Sequence, residues 1–327
     1  MERFSRVAGR GAFGHPAEEV GLAGARGAGT GAAQALERVV RFVAVVPDDD
    51  EKISENLLRD GTHADFSSEL MPTYKLTIEY EGTRYSGWQA QGNTPKTVQG
   101  HLLRAAAQVL GEVDIGGAGR TDSGVHAVGQ VAHLHAHKAV DPLQLSRKLN
   151  DLLPADINIL RAERASERFH ARHDAIGRVY LYQISRRRTA FAKPFVWWVK
   201  DRLDVAPMKQ AAKQLEGRHD FSAFTDRRLK QEDSRIVVVE RCEVVTDGDL
   251  ILVRIAASHF LWKMVRKLIA FLAEIGRGNT PVEELAARLA SGEAFEPTAP
   301  PSGLFLEAVV YPKEPFDRPL LPIVAVR

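Results

Sequence analysis

Cysteine is almost missing from this sequence. Cys242 is the one example in 327 residues, which excludes an intramolecular disulfide framework and a zinc site built on thiolates. Long apolar runs are missing too, and no stretch approaches the roughly 18–20 residues that a membrane-spanning helix needs. There is no GxxxxGK[ST] phosphate loop, no GxGxxG opening a helix after a strand and no HExxH, so nothing asks for a nucleotide, a flavin or a metal. What is present is ordinary for a soluble globular protein, with 44% hydrophobic and 26% charged residues. The net charge of +2 hides an asymmetry. Residues 1–70 hold 8 Lys+Arg against 12 Asp+Glu, whereas the remainder holds 36 against 30 and is mildly basic, as suits a polyanionic partner.

The same boundary divides order from low complexity. Residues 1–70 are Gly- and Ala-rich at first and then acidic, with one short apolar segment, ALERVVRFVAVV. Such a stretch buries too little to offset its ordering entropy, so disorder is expected, as an accessory tail or an extension upstream of a start at Met71. From Met71 the periodicities are clear. Alternation predicts strands at Lys75–Gly82, Gly129–Ala136, Ile157–Ala165 and Arg178–Ile184, and a hairpin turning at Asp247-Gly248. Helical stripes with start and stop residues predict helices over Thr97–Gly111, Pro142–Leu153, Pro207–Gly217, Phe260–Gly278 and Val282–Ser291. The expected fold is α+β: two similar halves, 71–178 and 179–315, share one largely antiparallel sheet flanked by helices, with a catalytic cleft between them and a tail at 316–327.

Candidate chemistry is concentrated in GGAGRTDSGVHAVGQVAHLHAH, Gly116–His137. Asp122 in this glycine-rich loop suits an Asx-turn, or an ionised carboxylate acting as nucleophile or base, with Arg120 two residues away to hold it or to meet a phosphate. A single carboxylate is too few for a glycosidase. His133, His135 and His137 share one strand face; they could ligate zinc, or line a wet or nucleic-acid-facing surface, and no carboxylate is expected to accompany them. Lys263, Arg266 and Lys267 fall at helical spacing and predict one basic face. Arg186–Arg188 with Lys193, and Arg227, Arg228 and Lys230, are basic loop clusters suited to phosphate contacts. Tyr180 and Tyr182 share a strand face, where a ring can stack on a base or fill a core.

Together these residues resemble the bacterial tRNA pseudouridine synthase A family. The resemblance runs from about Thr73 to Tyr311 through YEGTRYSGWQAQ, GAGRTDSGVHAVGQV, FHARHDAIGRVYLYQI, GRHDFSAF, FLWKMVRKLIAFLAEIGRG and TAPPSGLFL, in that order. It implies isomerisation of uridine to pseudouridine at positions 38 to 40 of the tRNA anticodon stem-loop, in the cytoplasm, by a homodimer without a cofactor. It makes Asp122 the nucleophile and Arg120 the residue that displaces the target nucleotide. Tyr180 becomes the ring that stacks on uracil and takes its C5 proton, and Arg266 the aspartate's basic partner. Lys263, Arg186, Arg187 and Arg227 become expected RNA contacts. The chain departs from the family's pattern at Ser123 (commonly Ala), at Lys267–Ala270 (often NIVG) and at His173 (frequently aromatic), and residues 1–70 have no counterpart. Rival readings are an RNA-binding protein without activity, a hydrolase with zinc on the three histidines, and a synthase for another RNA site.

Overall fold

A computed structural model describes residues 71–226, 234–314 and 316–326. The expectations for residues 1–70, and for Arg227, Arg228 and Lys230, lie outside the described residues. The first strand, β1 (Thr73–Tyr80), turns Tyr74, Leu76, Ile78 and Tyr80 into the core and its alternate residues away from it. Helix α1 (Val98–Leu110) begins where the Thr97 hydroxyl accepts from the Gly100 N–H at 3.2 Å and ends at Gly111, whose φ of 82° suits glycine. Strands β2 (Val113–Gly117) and β3 (His126–Ala136) follow, then α2 (Pro142–Leu152), capped by Asp141, and β4 (Ile157–Ala165).

The second half follows the same plan with two further strands and a further helix. It comprises β5 (Gly177–Ser185), the short β6 (Trp197–Trp198), α3 (Val205–Gln214), β7 (Gly217–Asp220), β8 (Ile236–Asp247), β9 (Leu250–Ala257), α4 (Met264–Gly276), α5 (Glu284–Ser291) and β10 (Leu304–Val310). Helix α4 starts four residues later than its apolar stripe predicts, because Lys263 takes a left-handed conformation at φ 60°. That turn sends Leu261 and Trp262 off the helix axis.

One ten-stranded sheet results, in the order β4-β1-β3-β10-β5-β9-β8-β7, with β2 on β3 and β6 on β5. In each half the first strand lies between the last and a later one: β4-β1-β3 matches β10-β5-β9. The halves join where β10 runs parallel to the start of β3, pairing Phe305 with His126, while the rest of β3 pairs β2. The loop Ala118–Val125 fills that fork. Apolar residues of α1–α5 and one sheet face form a continuous core. On the other face of β5 and β9, Leu181, Leu250 and Leu252 are covered by Leu320, Ile323, Val324 and Val326. Beside them the buried Arg254 guanidinium meets Glu307 through two hydrogen bonds of 2.6 and 2.8 Å. Among the described residues no helix is long and apolar enough to cross a membrane.

Candidate active site

The loop between β2 and β3 is held by hydrogen bonds along most of its length, including one from the Val125 N–H to Asp122 O at 3.1 Å. The Ala118 N–H donates to Val131 O at 2.8 Å, and the fully buried Gln130 amide donates to Gly119 O at 2.7 Å. Thr121 is fixed twice: its hydroxyl meets the Tyr80 hydroxyl at 2.8 Å and its carbonyl accepts from the Trp88 N–H at 3.1 Å. Burial raises the Tyr80 phenol to about 12, so it serves that contact as a neutral group. The Ser123 hydroxyl donates to Tyr85 O at 2.9 Å. Two glycines are obligatory here. A Cβ on Gly117 would stand 2.4 Å from the Trp88 ring, and Gly124 turns the chain at φ 79°.

With its backbone pinned, Asp122 presents its carboxylate to the segment that opens α4. Oδ2 accepts from Arg266 Nη1 at 3.1 Å, and Oδ1 accepts from Trp262 Nε1 at 3.0 Å. The Asx-turn reading therefore fails: both oxygens are taken by side chains 140 and 144 residues away. Arg266 is itself located by Ala299, whose carbonyl accepts from its Nε at 2.8 Å. The Asp122 and Arg266 side chains are 26% and 15% exposed, so the pair is reachable from solvent yet partly shielded. Arg120 does not pair with Asp122. It is exposed and lines the same cleft.

That cleft encloses about 1030 Å³ on the helix-bearing face of the central strands. Tyr180 and Tyr182 separate there. Tyr182 is core, its hydroxyl donating to Pro300 O at 2.8 Å, whereas Tyr180 lines the cleft and packs edge-on against Phe260 at 5.0 Å. Burial pushes the Tyr180 phenol well above its ordinary value; the neighbouring Arg178 guanidinium opposes that shift and the Asp122 carboxylate adds to it. Arg178, which periodicity marks only as a strand residue, ties the walls together. It donates to Ala118 O, Arg172 O and Ser258 O at 3.0, 2.8 and 3.1 Å.

The expected basic face of α4 is not formed. Lys263 lies before the helix, lines the cleft, pairs with Asp226 at 3.2 Å and sits 4.8 Å from the Trp262 ring. Lys267 is buried and donates to Phe295 O, because its position falls on the apolar stripe. Arg186 donates to Gly248 O and Arg187 pairs with Asp249 at 2.8 Å, so both lean on the β8–β9 turn and neither lines the cleft.

Among the histidines, His137 lies beyond the end of β3. His133 and His135 do gain a carboxylate, Asp114, which pairs with His135 across β2; one ligand atom from each of the three lies within 4.8 Å of the others. The donor set fits a metal ion poorly. The His133 Nδ1 accepts from the Ala171 N–H at 3.1 Å, so a neutral ring carries its proton on Nε2, the nitrogen 3.7 Å from Asp114. A protonated nitrogen has no lone pair to offer a metal.

Comparison with known proteins identifies relatives of the whole folded region. A family model described as tRNA pseudouridine synthase matches residues 76–174 and 211–312. The chain is 44% identical over 247 residues to tRNA pseudouridine synthase A of Rhodopseudomonas palustris (strain BisA53), covering 74% of this chain and 100% of the relative. It is 38% identical over 244 residues to tRNA pseudouridine synthase A of Aquifex aeolicus (strain VF5), covering 73% and 100%. A solved structure titled "Crystal Structure of a Cbf5-Nop10-Gar1 Complex" aligns over 61% of this chain and 53% of that one, at 16% identity and a TM-score of 0.26, which is too remote to carry an argument.

Proposed function

This chain belongs to the tRNA pseudouridine synthase family, and from that premise we propose that it isomerises uridine at positions 38 to 40 of the tRNA anticodon stem-loop, with Asp122 as nucleophile. The observation that carries the reading is the Asp122 carboxylate, held on both oxygens at the wall of a cleft large enough for a nucleotide. The reaction breaks the N1–C1′ bond, turns the uracil and forms a C5–C1′ bond. The proton leaves C5 and N1 regains one, so no redox partner or energy source is required. A uridine in a stacked stem must first leave it, which costs a few kcal/mol. Arg120, exposed at the cleft, meets the displaced phosphate, and Tyr180 receives the base. A phenol raised by burial stays neutral at physiological pH. That favours stacking and proton donation for Tyr180 over taking the C5 proton unaided. Arg266 stays opposite the Asp122 carboxylate, 3.1 Å away, as water is excluded.

The working unit is a homodimer in the cytoplasm, as the resemblance implies; sedimentation velocity tests the assembly. The deciding assay is tritium release from tRNA labelled at uridine C5, with no cofactor added. Release that disappears when positions 38 to 40 are not uridine supports both reaction and site. Release that persists moves the site elsewhere, and no release with tRNA bound leaves only a binding protein.

A further inference from the structure

Three large aromatic side chains are conspicuously exposed among the described residues: Phe191 at 96%, Trp198 at 42% and Trp262 at 36%. Trp262 lies over Asp122. The other two belong to one short segment, the connection from β5 into β6, which also carries Arg188 and Lys193. Arg186 and Arg187 of the same basic run are engaged by the β8–β9 turn. Arg188 and Lys193 form no ion pair with a described residue and stand at a separate cavity of about 390 Å³. Thr189, Trp198 and Ser302 complete its polar and aromatic lining, and the Arg188 guanidinium lies 5.9 Å from the centre of the Trp198 ring.

This cavity is fastened to the catalytic loop. The Ser302 hydroxyl donates to Val196 O at 3.2 Å. Its neighbour Pro301 packs on Gly124, where an added Cβ would lie 2.9 Å from the proline ring. His126, which opens β3, reaches Pro194 O at 2.9 Å and lies against the Phe195 ring at 5.2 Å. Residues directly following Asp122 thus support the segment that bears Arg188, Lys193 and the exposed Trp198.

Cations with no ion pair to a described residue, beside the solvent-facing Trp198 ring, suit single-stranded nucleic acid, which brings an anion and a π-face in every nucleotide. They suit the centre of a protein interface less well, since charge is depleted there. We propose that this cavity is a second RNA subsite: it takes one nucleotide of the substrate tRNA other than the uridine being isomerised, with the phosphate between Arg188 and Lys193 and the base on Trp198. The proposal rests on the tRNA reading given above.

The test compares the full chain with its R188Q/K193Q and W198A variants, measuring tRNA affinity between about 50 and 200 mM salt and tritium release in parallel. Losing one phosphate contact should make the slope of log affinity against log salt shallower by about 1 in R188Q/K193Q. W198A should weaken binding at least about fivefold with the slope unchanged, as loss of a stacking platform does. Both losses should appear in KM more than in kcat. Unchanged affinity and slope in both variants overturn the subsite. A change of oligomeric state that accounts for the weaker binding also overturns it, and assigns the surface to a second copy of the chain. Wild-type protein that binds tRNA but releases no tritium would sink the proposed reaction while leaving the binding comparison readable.

Discussion

Replacing Arg266 by methionine tests the active site most directly, because Arg266 is the charged partner of Asp122. The Nη1–Oδ2 distance is 3.1 Å. At that separation two unit charges attract by about 1 kcal/mol in water and about 5 kcal/mol at the effective dielectric of a protein surface. With side chains 15% and 26% exposed, the pair lies between those limits, at about 3 kcal/mol, which corresponds to roughly 10²-fold in rate. Once a nucleotide excludes water, a carboxylate without its cation is no longer held against the segment that opens α4, which removes it from the reaction. Single-turnover tritium release, with enzyme in excess, reads this step apart from product release. R266K separates charge from scaffold: it keeps the cation but gives up the Nε hydrogen bond to Ala299 O, and should lose only about tenfold. R266M turning over within about threefold of wild type would refute the argument. So would R266K being as impaired as R266M, because the scaffold and not the charge would then matter.

Other perturbations follow from the same contacts. Asp122→Asn should abolish tritium release while filter binding shows tRNA affinity within about threefold of wild type, since it removes a reacting group and no phosphate contact; measurable turnover removes Asp122 from the chemistry. Trp262→Phe keeps a ring but deletes the donor to Oδ1. Hydrogen bonds to charged groups contribute about 1.5–3 kcal/mol, and a residue 36% exposed belongs at the low end, so kcat should fall about tenfold; an unaltered kcat rejects the positioning role. Glu307→Ala leaves the Arg254 guanidinium buried with only the Arg318 and Pro319 carbonyls. It should lower unfolding stability in urea by about 3–5 kcal/mol, and a loss under about 1 kcal/mol contradicts that. Burial, with the charges of His170 and His135, lowers His133 from 6.5 to about 4. Between those values the unfolded chain holds a proton that the folded chain lacks, so stability falls as pH drops through that window. His126, His170 and His259 act in the same direction. His133→Asn should therefore make the decline of Tm with falling pH shallower, and an unchanged slope would exonerate His133.

What the sequence makes legible, and what it hides, divides along chain separation. Strands, caps and the hairpin at Gly248 can be read because alternation, a Thr or Asp before a helix and a glycine after it all act within a few residues. Even the burial of Lys267 is written locally: it lies three residues after Met264 and four before Phe271, both buried, and so falls on the apolar stripe and not on a basic face. Asp122 stands out because a loop with so many glycines has something to hold. Its partners follow no local rule. Trp262 reaches Asp122 only because Lys263 breaks the helix at φ 60°, and no periodicity forecasts a left-handed lysine. Likewise Asp114 joins His133 and His135 across a strand pair, and Arg188 is separated from Arg186 and Arg187 by a turn some 60 residues further on. Residue types announce the chemistry here, but the register of ten strands decides which of them meet. Strained and long-range contacts therefore gather at the functional surfaces, where local propensity and final geometry disagree most.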